Sequence, residues 1–292
     1  MTTGEAWRDF DAAWNFADPA GTEATFRAFL EDAALDEAIR LQLLTQIART
    51  QGLQKQFDAA HATLDEVERQ LASRDAPVVH VRYLLERGRV LNTSGRPAEA
   101  RPRFEEAWER ARNAGEDGFA VDAAHMVAIV ADPDEAIAWN ERALELARSS
   151  DDPRARKWQG SLLNNLGWTY HGRGELDRAL RSFEDALAFW ETRNEPGRTR
   201  VARWCVARAW RSLGRFEEAL AWQRDLAAAA AEGGVDGFVV EEIGECLLAL
   251  GRAEEARPHF RRAWELLLAD RWLSEREPER LARLLRLAEG GS

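Results

Sequence analysis

Residues 162–187 read LLNNLGWTYHGRGELDRALRSFEDAL. Leu163, Leu166 and Tyr170 recur at helical spacing, and so do Ala179, Phe183 and Ala186 after Gly174. Gly174 separates two amphipathic runs, because a glycine can take the positive φ that ends one helix and turns the chain into the next. Gly167, Ala179 and Ala186 are small, and antiparallel helices approach closely only where side chains are small. The stretch is a helix hairpin.

Its second half recurs along the chain. Residues 95–109 read GRPAEARPRFEEAWE and residues 251–265 read GRAEEARPHFRRAWE, with a shorter copy, GRFEEAL, at 214–220. The turn glycines Gly95, Gly174, Gly214 and Gly251 are 79, 40 and 37 residues apart, which sets a unit of about 40 residues or a little less. Ala, Leu, Glu and Arg dominate the composition and favour helix. Val, Ile and Thr are too sparse for sheets.

With Leu163, Leu166, Gly167, Tyr170, Gly174, Ala179, Phe183 and Ala186 in place, the 162–187 unit resembles the tetratricopeptide repeat. Leu84, Gly88, Leu91, Gly95, Ala100, Phe104 and Ala107 give a second unit in 81–114. Val240, Ile243, Gly244, Leu247, Gly251, Ala256, Phe260 and Ala263 give another in 237–270. The 200–233 unit has Gln223 where Phe is usual, the 117–150 unit has no turn glycine, and the 41–74 unit has the least certain register. The spacing exceeds the usual period of about 34 residues, as in the extended repeats of kinesin light chain-like adaptors. The resemblance implies an all-α, right-handed superhelical solenoid of antiparallel helix pairs over residues 1–292. It divides into an N-terminal helical cap (1–38), six repeats (41–270) and a C-terminal capping helix and tail (271–292).

The ends and breaks fit this reading. Residues 4–32 form a helical pair broken at Asp18-Pro19, with Thr22 as a cap for its second helix. Leu281, Leu284, Leu285 and Leu287 make an apolar stripe behind Pro278, which covers the last repeat or faces a second subunit. Pro102 and Pro258 lie at the same place in their repeats and predict a kink in each second helix. Loops are expected at Asp75–Pro77, Ser149–Pro153, Asn194–Gly197 and Gly233–Gly234. Trp108 and Trp264 are equivalent, as are Trp139 and Trp222, and such repetition reads as packing.

The residues offer no catalytic signature. HExxH, GxGxxG, P-loop and GxSxG patterns are absent, and the five histidines lie on different repeats. No enzyme activity, cofactor or metal is expected. A net charge of −11 argues against a general nucleic-acid binder. Two cysteines outside any CxxC pair, an N-terminus without a long apolar run and the lack of any apolar run of about 18 residues lead to expectations of a cytoplasmic protein outside the membrane.

In the family resembled, first helices line the groove that holds a peptide or partner helix. Transferred place by place, that groove comprises Arg49, Arg82, Arg89, Asn92, His125, Asn164, Trp168, His171, Trp204, Arg208, Arg211, Glu241 and Glu245. Arginine can hold a carboxylate in a fork, asparagine can pair with a peptide backbone and tryptophan gives flat apolar contact. The expected partner is a protein or peptide of acidic character. The same arginines are equally placed to pair with glutamates of adjacent repeats. Two alternatives remain open: self-association into a homo-oligomer through the terminal helix, and use of the arginine-lined face for a nucleic acid or small anion.

Overall fold

The computed structural model describes residues 6–230 and 234–291. Gly233 of the last expected loop and the first residues of the expected 4–32 pair lie outside them. The described residues are predominantly helical, with no strand among them. The chain divides into two compact units, residues 1–162 and 163–292.

The first unit opens with a 3-10 helix, Ala6–Ala13. Seven helices follow: α1 Pro19–Leu30, α2 Glu37–Leu53, α3 Phe57–Leu71, α4 Pro77–Thr93, α5 Pro97–Asn113, α6 Asp117–Val130 and α7 Pro133–Ser149. A single turn, α8 Pro153–Arg156, comes next. Pro19 starts α1, since proline at the first helical position loses no hydrogen bond. Asp18 caps it by accepting from the Gly21 N–H at 2.9 Å, so the cap is Asp18 and not Thr22. Thr22 is buried, and its hydroxyl donates to the Asn15 and Asp18 carbonyls. Pro77, Pro97 and Pro133 start their helices in the same way.

The unit boundary falls within α9, Gln159–Gly172. In the second unit α10 Leu176–Thr192, α11 Pro196–Ser212, α12 Phe216–Ala228, α13 Gly237–Ala249 and α14 Ala253–Leu268 follow. They lead to α15 Arg271–Arg276 and α16 Pro278–Ala288. Leu281 and Leu284 of α16 are buried in the core of this unit, with Phe260, Ala263 and Leu267 of α14. Both α5 and α14 run through their internal prolines as continuous helices.

The hairpin contact follows the sequence pattern. A Cβ placed on Gly88 would lie 2.3 Å from the Phe104 ring, one on Gly167 2.4 Å from Phe183, and one on Gly244 2.8 Å from Phe260. Each ring is fully buried against the bare backbone of the facing helix. The turn glycines Gly95 and Gly251 adopt φ of +87° and +74°. In the first pair Lys55 takes the left-handed conformation at φ 62°, which costs a non-glycine residue of order 1 kcal/mol. The α6–α7 turn dispenses with a glycine, and Asp132 caps α7 through the Asp134 and Glu135 N–H groups.

Candidate functional site

First helices carry the polar faces, and each unit has its own. In residues 1–162 a cavity of about 200 Å³ is lined by Arg49 of α2, Arg82 and Arg89 of α4, Phe119 and Asp122 of α6, and Trp158. Arg89 is the centre of an ion-pair network. One of its nitrogens lies 2.5 Å from each Asp122 oxygen and another 2.6 Å from Glu86. Burial works against charge here. The Asp122 and Glu86 carboxylates outweigh it and hold the Arg89 guanidinium ionised far above any accessible pH. Burial likewise works to raise the Asp122 carboxyl, but the adjacent Arg89 charge and hydrogen bonds keep it below its ordinary value. Arg82 donates to Asp11 and lies between the rings of Phe10 and Phe119, at 5.0 and 4.9 Å. Arg49 faces Glu86 at 3.5 Å.

Of the five expected groove residues in this unit, Arg49, Arg82 and Arg89 therefore meet around one cavity. His125 stands beside it, its ring 5.2 Å from Trp158, and burial lowers its pKa. Asn92 is half-buried and does not line the cavity.

In residues 163–292 the first-helix face has an aromatic part and a charged part. Trp168 of α9, Trp204 of α11 and Phe238 of α13 step across three first helices, with centroid separations of 5.8 and 6.2 Å. Together with Gly197, Arg200, Val201, Asp236 and Val239 they line an open groove of about 550 Å³. Trp204 also borders a second cavity, of about 390 Å³, where arginines and glutamates alternate. Arg208 and Arg211 meet Glu242, at 3.1 and 2.7 Å. Arg280 and Arg283 of α16 reach Glu241 and Glu245. Burial raises the Glu241 carboxyl above its ordinary value despite Arg280.

The charged groove residues of this unit are ion-paired there, while Trp204 has ring contacts and a buried indole N–H without a hydrogen-bond partner. Asn164 accepts from the Cys205 thiol at 3.3 Å, and His171 Nε2 lies 2.8 Å from the Ser212 hydroxyl. Burial pushes the Cys205 and Cys246 thiols up to about 12, so neither is a ready nucleophile. Sequence reasoning did not find Phe238, Glu242, Arg280 or Arg283 on this face, nor Asp11, Glu86 and Asp122 in the first unit.

No group of three or more His, Cys, Asp or Glu residues suited to a metal occurs among the described residues. No described helix is long and apolar enough to cross a membrane.

Models of the tetratricopeptide repeat family match residues 119–192, 81–106 and 244–262. No curated protein matches the sequence. Among solved structures the chain is similar to the apo form of RapI (TM-score 0.73, 9% identity, covering 96% of this chain and 77% of that one). It is also similar to the apo form of the quorum sensor NprR from B. thuringiensis (0.67, 16%, 96% and 79%) and to NprR in complex with its cognate peptide NprX (0.55, 14%, 99% and 84%). A putative kinesin light chain from Podospora anserina with nearly identical TPR-like repeats aligns at a TM-score of 0.55 and 18% identity, covering 66% of this chain and 96% of that one. Likeness at these identities shows a shared fold, the all-α helical solenoid. With family models matched at three stretches and glycine–phenylalanine contacts closing three of its helix hairpins, the chain carries tetratricopeptide repeats.

Proposed function

We propose that this chain is a protein-binding scaffold, and that the aromatic groove of residues 163–292 takes a segment of its partner. The observation that carries this reading is the row Trp168, Trp204 and Phe238, with Val201 58% exposed at its edge. Neighbouring rings on a rigid helical face supply apolar area at little entropic cost, and such positions dominate binding energies. The complex of NprR with its peptide supports a peptide ligand for the same fold.

The charged residues refine the expected partner. Arg208 and Arg211 are committed to Glu242, so they offer little to a ligand unless it displaces that carboxylate. Arg200, on the groove rim, is exposed and makes no ion pair among the described residues. The partner segment accordingly presents a large apolar side chain to the tryptophans and a carboxylate to Arg200.

A displayed library of random peptides, selected on the immobilised protein, tests this. Selection is expected to enrich large apolar residues next to Asp or Glu. Trp204→Ala should weaken an enriched peptide by about 2 kcal/mol or more, and Arg200→Glu by about 1 kcal/mol. An unselective outcome, or an enriched peptide indifferent to Trp204→Ala, removes the groove as the binding surface.

A further inference from the structure

Independently of the aromatic groove, we propose that the cavity of residues 1–162 is a binding site for a phosphate-type oxyanion, either the free ion or a phosphomonoester. The charge inventory leads there. Its cationic lining is Arg49, Arg82, Arg89, Arg154 and Lys157, against the carboxylates Asp11, Glu86 and Asp122. Arg154 is occupied by Glu116 and Asp152 outside the lining. Arg89 takes Asp122 and the near oxygen of Glu86. Arg82 takes Asp11. That leaves Arg49 with a 3.5 Å share of the oxygen Arg89 already holds. It also leaves Lys157, exposed on the rim, with no ion pair among the described residues. A half-buried guanidinium with half a counter-ion keeps donors open to an anion entering from solvent.

The cationic walls of the cavity are held in place by aromatic rings. Arg82 is only 8% exposed, and its Nε is buried without a hydrogen-bond partner. Phe10 and Phe119 hold this side chain between them, so its charge stays at the cavity wall. Arg49 is similarly set against Trp14 and Phe16, at 5.4 and 5.2 Å. Burial and the neighbouring Arg89 charge lower the Arg49 pKa, as expected of a cation short of compensation.

Geometry selects the class of anion. The unspent donors come from two places in the chain, Arg49 of α2 and Lys157 after α8. A planar carboxylate offers two oxygens, whereas a tetrahedral oxyanion offers acceptors in several directions at once. A volume of about 200 Å³ holds the equivalent of about six waters. That accommodates one such anion with part of its hydration.

Calorimetric titration of the full chain with inorganic phosphate, O-phosphoserine and acetate tests the assignment. Phosphate or phosphoserine is expected to bind with one-to-one stoichiometry and at least about tenfold more tightly than acetate. Tighter phosphoserine identifies a phosphorylated side chain as the source, and tighter phosphate the free ion. Arg49→Gln should weaken binding about tenfold and Lys157→Gln about threefold, while Lys55→Gln leaves it unchanged. Lys157 is exposed, so its variant folds even if Arg49→Gln does not. No measurable binding of either phosphate or phosphoserine, acetate binding as tight as the better of the two, or a Lys157→Gln protein that binds that better ligand like the parent overturns the proposal.

Discussion

At the scale of residues, each helix hairpin balances volume between two positions sixteen residues apart. Gly88, Gly167 and Gly244 are followed at that interval by Phe104, Phe183 and Phe260, and each ring lies over its glycine. Where the first position is Ala48, Ala124 or Ala207, the second is the smaller Leu64, Asn140 or Gln223. All six of these residues are buried. Gln223 is the least comfortable, with no exposure and neither amide atom hydrogen-bonded. A buried amide without partners costs about 1–3 kcal/mol. Gln223→Met keeps the length and removes the polar atoms, so it should stabilise the protein by about 1 kcal/mol or more in urea unfolding. A destabilised variant would mean that the amide is hydrogen-bonded in solution.

At the scale of elements, the first helices are joined by ion pairs spaced one repeat apart. Arg49–Glu86, Arg89–Asp122, Arg211–Glu242, Arg280–Glu241 and Arg283–Glu245 span 31 to 39 residues. The last two fasten α16 to α13, and Glu241 sets their pH response. Its carboxyl is raised in the folded state, so the native protein binds the extra proton between the ordinary and the raised value. Stability from this group is thus complete below the ordinary value near 4.5 and declines as pH rises through the raised one. Arg280 limits that decline by compensating the ionised form. Arg280→Gln should therefore cost about 2 kcal/mol at pH 7 and less at pH 4, where the losses are its contacts with Phe238 and Glu277. Thermal melts at the two pH values check this, and an equal loss at both contradicts it. The same pairs explain what the sequence could reveal. Helix hairpins were legible from glycine, alanine and phenylalanine places within one repeat. The first-helix positions were legible only through the family resemblance. Their counter-ions were not, because Asp122, Glu242, Arg280 and Arg283 belong to the next repeat or to the terminal helix. A comparison of opposite charges one period apart would have found them. Arg82–Asp11 has no such signal, since Asp11 lies on an irregular 3-10 segment 71 residues away.

At the scale of the whole molecule, a chain of hairpins stabilised by neighbour contacts should respond locally to damage. In such arrays stability is close to a sum of repeat and nearest-interface contributions. Phe260 is a suitable place to test this, because its ring closes the α13–α14 hairpin against Gly244 and belongs to the core that includes Leu281 and Leu284 of α16. Phe260→Ala should cost about 3–5 kcal/mol by leaving a cavity. Hydrogen exchange read by mass spectrometry should then show protection falling in α13, α14 and α16, less in α12, and unchanged from α2 to α5. A single cooperative core would instead transmit the loss to every slowly exchanging amide, because those amides exchange only through global unfolding. Uniform loss of protection would therefore contradict repeat-by-repeat stability. A graded loss would mean that a ligand on one face can tighten its own repeats while distant ones keep their stability.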